Sequence, residues 1–156
     1  MAEKNMKTNQ TLVAENRRAR FEYTILETLE AGIVLTGDEI KSVRAGHFSL
    51  VDCYGYIKND EVFLRNSYIK EYANSYDAGR VGDNTRRDRK LLLHKVQIQK
   101  LKKQIEQERL TLVPLKAYFS GSNLKIELVV ARGKKLADKR ETLKTKQIER
   151  DLRRQN

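Results

Sequence analysis

Two alternating segments near the end of the chain, 111–119 and 123–131, constrain the fold more than any other feature. Alternation of apolar and polar residues has the period of a β-strand with one buried face. The apolar set of the second segment is Ile126, Leu128 and Val130. The polar sequence 120–123 is suited to a turn. We therefore predict a β-hairpin, with Pro114 marking either a sheet edge or a bulge in its first strand.

Further strands are predicted upstream. Segments 50–57 and 61–66 form a second predicted hairpin around the polar turn 58–60. Segment 21–35 combines alternation with β-branched residues, and its Ala31-Gly32 pair predicts a bulge or sharp bend between two strand segments. The earlier part of the chain therefore also favours antiparallel β-structure.

Two helices are predicted between the strands. In 36–45, Asp38 is the expected N-cap and Gly46 the expected stop, with Ile40 and Val43 facing inward. In 93–108 the apolar stripe has helical spacing and consists of His94, Ile98, Leu101 and Ile105.

About six strands, with two or three short helices and no alternation of strand and helix, indicate a mainly β protein. We predict a small antiparallel OB-like β-barrel with two or three short helices and a basic C-terminal tail. A split α+β sheet is the alternative. The expected organisation is a flexible basic segment at 1–15, the barrel at 16–131 and the basic tail at 132–156.

Positive charge is concentrated at the two ends of the chain. The sequence has 32 Lys+Arg and 21 Asp+Glu, a formal charge of +11. Residues 132–156 hold ten basic and four acidic residues, whereas 21–131 is nearly neutral. A polyanion such as RNA is the natural partner of such ends, because bound phosphates release condensed counterions. Basic tails that merely aid solubility are the alternative, and neither end offers the apolar face of a membrane-surface helix.

The same composition argues against other classes of protein. The longest apolar runs are far too short to span a bilayer, and residues 1–10 lack the apolar core of a secretory signal. One cysteine, Cys53, and two histidines cannot complete a zinc site. We expect a cytoplasmic protein without a metal or other cofactor and without a membrane partner.

Nothing in the sequence forms a recognisable catalytic set. Its glycines match no phosphate-binding loop, and neither histidine has an evident nucleophile beside it. Glu30 and Glu39 could be imagined as paired carboxylates, but nothing places a metal or substrate next to them. We therefore expect no enzymatic activity. One or two tyrosines could stack on unpaired bases, and the candidates are Tyr54, Tyr56, Tyr68, Tyr72 and Tyr76.

A long polar segment, 74–89, separates the second hairpin from the second helix. Loops of this length inside compact domains are often functional. Its arginines favour a functional role, and they are Arg80, Arg86, Arg87 and Arg89.

Several blocks of the sequence closely resemble the SsrA-binding protein (small protein B, SmpB) family, in the family's order and spacing from residue 16 to residue 140. The blocks are NRRARFEY (16–23), EAGIVLTG with EIKSVRAG (30–46), EVFL (61–64), RKLLLH (89–94), LTLVPL (110–115), and GKK (133–135) followed by DKR (138–140).

The resemblance implies a bacterial RNA-binding protein with an OB-like barrel. Such a protein binds the tRNA-like domain of transfer-messenger RNA (tmRNA, SsrA). It escorts that RNA, with elongation factor Tu contacting the charged RNA, to stalled ribosomes for trans-translation, the rescue reaction that tags the nascent peptide. Matched by position, the implied RNA-binding residues are Glu30, Leu93 and His94 at the RNA elbow, with phosphate contacts from Arg17, Arg18, Arg20, Lys41 and Arg44.

For the tail, the resemblance implies a segment that is disordered alone and helical in the mRNA channel of the ribosome. There it would take the place of a codon–anticodon duplex, through Gly133, Lys134, Lys135, Asp138, Lys139 and Arg140. The residues support this separately, because large apolar side chains are sparse in 136–154 while helix-forming charged residues abound.

Two other functions remain alternatives to this one. A general RNA-binding barrel would explain the charge and the strands but not the ordered blocks. An RNA-modifying enzyme would need a catalytic set that the sequence does not offer.

Overall fold

The structure is a computed structural model that describes residues 10–72, 84–134 and 136–155. Within the last range, the side chains of residues 136–139, 142 and 155 are outside the description.

Nine strands and four helices are present in these residues. The strands are β1 (Gln10–Glu15), β2 (Tyr23–Ile33), β3 (Phe48–Ser49), β4 (Tyr54–Lys58), β5 (Glu61–Arg65), β6 (Tyr68–Ile69), β7 (Arg89–Leu92), β8 (Thr111–Ser120) and β9 (Asn123–Gly133). The helices are α1 (Ala19–Glu22), α2 (Gly37–Arg44), α3 (Lys95–Glu108) and α4 (Leu136–Gln155).

The main sheet closes on itself. Its strand order is β1-β8-β4-β5-β7-β2-β9, and a further pairing of the last strand, β9, with β8 closes the ring. The ring therefore consists of β8, β4, β5, β7, β2 and β9, with β1 added along β8. All of these pairings are antiparallel. The predicted mainly β, OB-like barrel is confirmed.

Both predicted hairpins are confirmed. β8 and β9 pair from Thr111 opposite Ala131 to Ser120 opposite Asn123. The register shifts between Pro114 and Lys116, so the proline marks a bulge, one of its two predicted roles. β4 and β5 meet at a two-residue turn whose Asn59 and Asp60 both have positive φ, at 52° and 58°. Such backbone angles match the twist of the flanking strands.

The predicted break in 21–35 is in the wrong place. β2 continues through Ala31 and Gly32, and its bulge falls at Leu26 instead. Gly32 is the point where β2 pairs with two neighbours, Lys125 of β9 and Leu92 of β7. A Cβ on Gly32 would come within 3.3 Å of the Cβ of Leu92, so glycine here permits close strand approach rather than a bend.

Helix α2 begins with a different cap from the predicted one. Thr36, not Asp38, is the N-cap, because its hydroxyl accepts a hydrogen bond from the Glu39 N–H at 3.2 Å. The Glu39 carboxylate accepts in return from the Thr36 N–H at 2.9 Å, which completes a capping box. Gly46 follows the helix with a φ of 87°, as its predicted role as the stop requires.

Helix α3 buries Ile98 and Leu101, as the spacing predicts. His94 belonged to the predicted apolar stripe, but it precedes the helix and is exposed. Its backbone N–H donates to the Gln97 side chain at 3.0 Å, so residue 94 starts the helix instead of packing in the core.

The ends of the barrel differ from the predicted boundaries. Gln10–Glu15, expected to be flexible within 1–15, forms β1 because the edge of β8 offers it backbone partners; residues 1–9 lie outside the description. At the other end, β9 runs to Gly133, opposite Tyr23, and the Lys134 N–H donates to the carbonyl of Glu22 at 2.9 Å. The barrel therefore ends at Lys134 instead of Ala131.

Leu136–Gln155 of the predicted tail form helix α4 in the structure. Its Lys, Arg, Glu and Gln residues are good helix formers. All of its described side chains are exposed, so packing against the barrel core contributes little to it.

The core has two parts. The larger fills the barrel, and its members include Val62, Leu64 and Leu128, each with no exposed area. The smaller lies on the outer face of β8 and β9 beneath α1, and it consists of Ala19, Val113, Leu115, Val129 and Ala131. In the described parts of the chain, no helix is both long and apolar enough to cross a membrane.

Barrel closure generates a prediction for Gly55 of β4, which pairs with Leu112 of β8. A Cβ added at Gly55 would lie 2.8 Å from the Cβ of Leu112. We expect Gly55→Ala to lower the free energy of unfolding by about 1–3 kcal/mol because two backbones must separate. Urea denaturation with linear extrapolation measures this.

Gly37→Ala is the matched control, because a Cβ on this helical residue would meet nothing within 4 Å. We expect its stability to equal or slightly exceed that of the parent. Equal stability of the two alanine variants would contradict the assigned close approach.

Candidate nucleic-acid interface

Four strands align polar residues in a row on the outer face of the barrel. Strand register places Glu15 of β1, Lys116 of β8, Glu127 of β9 and Glu30 of β2 side by side. At a strand spacing of about 4.8 Å the row is about 14 Å wide. The Lys116 Nζ lies 4.0 Å from the Glu127 carboxylate. Glu30, one of the predicted RNA-binding residues, is exposed at one end of this row.

A tyrosine from the adjacent row holds the Glu30 carboxylate. The Tyr118 hydroxyl donates a hydrogen bond to Glu30 Oε2. Burial raises the pKa of Tyr118, and the hydrogen bond and negative charge of Glu30 raise it further. Tyr118 therefore stays protonated as a donor. The remaining lone pairs of the exposed carboxylate can accept from donors on a bound molecule, such as ribose hydroxyls or base N–H groups.

The exposed apolar residue on the Glu30 face is Leu92, which precedes the predicted Leu93. Leu92 ends β7 opposite Gly32 and is 52% exposed, whereas Leu93 packs against the barrel core. His94 is exposed next to them, as an RNA contact requires. Period-two alternation could have identified Leu92, since Leu91 is buried and the next residue of a strand faces outward.

Helix α2 carries the predicted cations to the same end of the barrel. The Arg44 guanidinium lies 4.8 Å from the centre of the Phe119 ring, near the tip of the β8–β9 hairpin. The Lys41 Nζ lies 5.4 Å from the centre of the Tyr72 ring. Both residues are exposed, so their charges remain available to phosphates.

A groove of about 300 Å³ lies between α2 and the hairpin tip, and its polar lining residues include Ser122, Asn123 and Lys125. Its lining includes Ile33, Leu35, Ile40, Leu92, Phe119 and Leu124. Leu92 lines this groove directly, whereas Glu30, Lys41 and Arg44 lie outside its lining, next to the lining residues Gly32, Ile40 and Phe119.

The three predicted arginines near the N-terminus lie apart from this groove. Arg17 approaches Glu15 at 3.9 Å, at the opposite end of the polar row from Glu30. Arg18 pairs with Glu22 at 3.9 Å, and the Arg20 carbonyl accepts from the Lys134 Nζ at 3.0 Å. Arg18 and Arg20 therefore lie at the base of the tail, and only Arg17 borders the Glu30 face.

A buried ion pair fixes α2 against the start of β7. Glu39 accepts from Arg87 and from the Arg89 Nε at 2.7 Å. The Arg89 side chain has no exposed area, and the Glu39 side chain is 12% exposed. Arg89 also donates to the carbonyl and the hydroxyl of Ser67, both at 2.8 Å, and to the carbonyls of Asn84 and Thr85.

The pKa of Glu39 reflects these contacts. Burial raises it, but hydrogen bonds from Arg87 and the Thr36 N–H, together with the charge of Arg89, outweigh burial and hold the pKa below its ordinary value. Glu39 is therefore a structural carboxylate and does not form a carboxylate pair with Glu30. Arg87 and Arg89, two of the loop arginines expected to be functional, both bind this carboxylate.

The described tyrosines from the predicted stacking set each have partners within the protein. Arg65 lies 4.3 Å from the centre of the Tyr56 ring, and the Tyr56 hydroxyl donates to Asp88 at 2.6 Å. Arg86 lies 5.1 Å from the Tyr68 ring. Tyr54 is within 3.5 Å of Arg65, and Lys41 covers Tyr72 as described above. Tyr76 and Arg80 fall outside the described residues.

Comparison with known proteins identifies the family of this fold and surface. A family model described as SmpB protein matches residues 13–156. The chain belongs to the SmpB family.

Named relatives agree over nearly the full chain. An SsrA-binding protein of Gloeothece citriformis is 53% identical over 99% of this chain and 97% of its own length. One from Oleidesulfovibrio alaskensis is 48% identical over 92% of this chain and 91% of its own. A solved chain described as "tmRNA-SmpB: a journey to the center of the bacterial ribosome" has a TM-score of 0.63 and 47% identity, and the match covers 81% of this chain and 87% of that one.

The structure describes only some of the tail residues that were predicted to act on the ribosome in this SmpB-family chain. Gly133 ends β9, Lys134 is anchored to α1, and Arg140 is exposed on α4. Lys135 lies outside the described residues, and Asp138 and Lys139 lie on α4 without described side chains. Among the residues that the structure does describe, no cluster of His, Cys, Asp and Glu could hold a metal ion.

The buried ion pair generates a stability prediction. Glu39→Gln leaves the Arg89 guanidinium buried without its counter-charge, so we expect a loss of about 3 kcal/mol at neutral pH. Because folding lowers the pKa of Glu39, its contribution is complete above the ordinary value of 4.5 and is lost as the pH falls through the folded-state value. Urea titrations from pH 7 to pH 3 should therefore show the two proteins converging only in acid.

Glu61→Gln serves as the control, since Glu61 pairs with Lys90 at 3.2 Å with both side chains nearly half exposed. We expect it to change stability by less than about 1 kcal/mol. A similar effect of both substitutions, or no convergence in acid, would argue against the structural role of Glu39.

Proposed function

We propose that this protein binds the tRNA-like domain of transfer-messenger RNA and delivers that RNA to stalled ribosomes. There, trans-translation rescues the ribosome and tags the nascent peptide. The observation that carries the proposal is the match over 81% of the chain to a solved chain described as tmRNA-SmpB in the bacterial ribosome.

The proposed contact with the RNA elbow is the surface that carries Glu30, Leu92, Lys41 and Arg44. A folded RNA elbow presents ribose hydroxyls, phosphates and partly unstacked bases together. Glu30 can accept from hydroxyl or base donors, Arg44 and Lys41 can neutralise phosphates, and Leu92 can pack against a base or ribose. Of the residues implied by resemblance, His94 lies close enough in sequence to Leu92 to join this contact, and Leu93 supports it from beneath.

The tail is proposed to bind the small ribosomal subunit in the decoding centre and mRNA channel. Gly133, Lys134, Lys135, Asp138, Lys139 and Arg140 would begin this segment. Support comes from the excess of basic residues in α4 and from its anchoring to α1 at Lys134. Arg18 and Arg20, beside that anchor, extend the same cationic surface. Elongation factor Tu would act through the charged RNA, and the protein itself would catalyse no reaction.

A general RNA-binding barrel is the competing function, and selectivity separates the two. At physiological salt we expect the purified full chain to prefer the tRNA-like domain to bulk tRNA by about a hundredfold or more. Phosphate attraction alone acts on both RNAs and would give similar affinities with a steep salt dependence. Competition binding with labelled RNA measures the ratio, and equal affinities would support the general binder.

Glu30→Ala provides a test of direct recognition. Removing a negative charge should strengthen any purely electrostatic binding to RNA. We expect it instead to weaken binding to the tRNA-like domain by about tenfold or more, because a hydrogen-bond acceptor is lost. Binding to bulk tRNA should stay the same or strengthen slightly.

Glu127→Ala is the matched control because Glu127 is opposite Glu30 in register and carries the same charge. We expect it to leave the preference intact. If both alanine variants bound the tRNA-like domain as tightly as the parent, the assigned contact face would be wrong.

Ending the chain after Lys134 tests the role of the tail. This boundary keeps the β2–β9 pairing and the Lys134 anchor, so the barrel should remain folded. We expect selective tmRNA binding to persist while tagging on stalled ribosomes is lost. Normal tagging by the shortened protein, assayed in a reconstituted translation system, would refute the proposed role.

A further inference from the structure

Charge is segregated around α4. An α-helix turns 100° per residue, so positions 140–154 can be placed around its circumference. Six basic residues with described side chains fall within one half: Arg140, Lys144, Lys146, Arg150, Arg153 and Arg154. The cationic half also carries Asp151 and Leu143, whereas the other half holds no basic residue at these positions and carries Glu141, Thr145, Ile148, Glu149 and Leu152. We call these the cationic half and the acidic half.

The acidic half also contains an apolar pair. Ile148 and Leu152 are one turn apart and are 60% and 58% exposed. Together with Glu141 and Thr145 they form a stripe along one face of the helix, with spacings of four, three and four residues. The barrel does not cover this stripe, since all of these side chains are exposed.

The two halves call for different partners. Phosphates attract the cationic half, whereas they would repel Glu141 and Glu149 and leave Ile148 and Leu152 in water. RNA alone would offer no complementary surface to the acidic and apolar side chains of this half. A surface that offers both Lys or Arg side chains and an apolar patch is complementary to it, and such a surface belongs to a protein.

We propose that the acidic half of α4 docks on a basic, partly apolar protein surface of the small ribosomal subunit while the cationic half lies on RNA. This inference rests on the proposed function, because that function places the tail on the ribosome. A second copy of this chain is a poorer partner, since its own stripe carries the same negative charges and offers only two apolar residues.

The test compares two probes for the full chain bound to tmRNA: intact small ribosomal subunits and protein-free small-subunit RNA. The first variant is Ile148→Ala with Leu152→Ala, and the second is Glu141→Gln with Glu149→Gln. We expect each to weaken binding to intact subunits by about tenfold or more. Binding to protein-free RNA should be unchanged for the alanine pair and unchanged or tighter for the glutamine pair.

The control is Lys146→Gln with Arg150→Gln, which alters the cationic half. It should weaken binding to both probes. Loss of helix cannot explain the effect of the alanine pair, because alanine has a higher helix propensity than isoleucine or leucine. Circular dichroism of each full-length variant checks that helix content is retained.

Three outcomes would overturn the inference. Acidic-half variants that bind intact subunits like the parent would show that no protein partner engages that half. Equal weakening on both probes would make the acidic half an RNA contact. Self-association of the parent that the alanine pair abolishes, measured by sedimentation, would make the partner a second copy. Failure of the parent itself to bind subunits would instead count against the proposed function.

Discussion

Strand β8 pairs with three other strands, and this shared pairing determines the architecture. Its beginning contacts β4, its end contacts β1, and its whole length pairs with β9. The bulge beside Pro114 falls where β8 passes from one neighbour to the next. Closure through β8 and β9 removes the open edges of the ring. It also brings Glu30, Tyr118 and the hairpin tip onto one outer face, which no single hairpin could assemble.

The contact between Glu39 and Arg89 connects this barrel to the candidate site. Glu39 caps α2 from within and accepts hydrogen bonds from two guanidinium groups, that of Arg87 just before β7 and that of Arg89 at its start. Both Lys41 and Arg44 follow it on the same short helix. Because the ion pair is buried and its donors are also bonded to backbone carbonyls, α2 has one position relative to the barrel. The side chains of Lys41 and Arg44 are therefore exposed, whereas α2, which carries them, is held against the barrel.

Much of the fold could be predicted from local patterns, and the errors share a cause. Alternation located the hairpins, the expected cap and the Gly46 stop located α2, and helical spacing located α3. The bulge at Leu26, the strand at Gln10–Glu15 and the exposure of Leu92 were missed because each depends on a neighbouring strand distant in sequence. Arg87 and Arg89 were expected in a functional loop because a sequence does not reveal which arginine finds a buried carboxylate.

The sequence by itself determined the β-rich barrel, its antiparallel hairpins and the cationic character of its tail, since alternation and charge are properties of neighbouring residues. It also determined the family, because the matching sequence blocks can be recognised by their order and spacing along the chain. Only the tertiary structure decided which strand closes on which and which ions are buried. It also separated Arg18 and Arg20 from the groove. These features depend on contacts between residues far apart in the chain, whose partners are selected by the packing of the whole barrel and not by local preference.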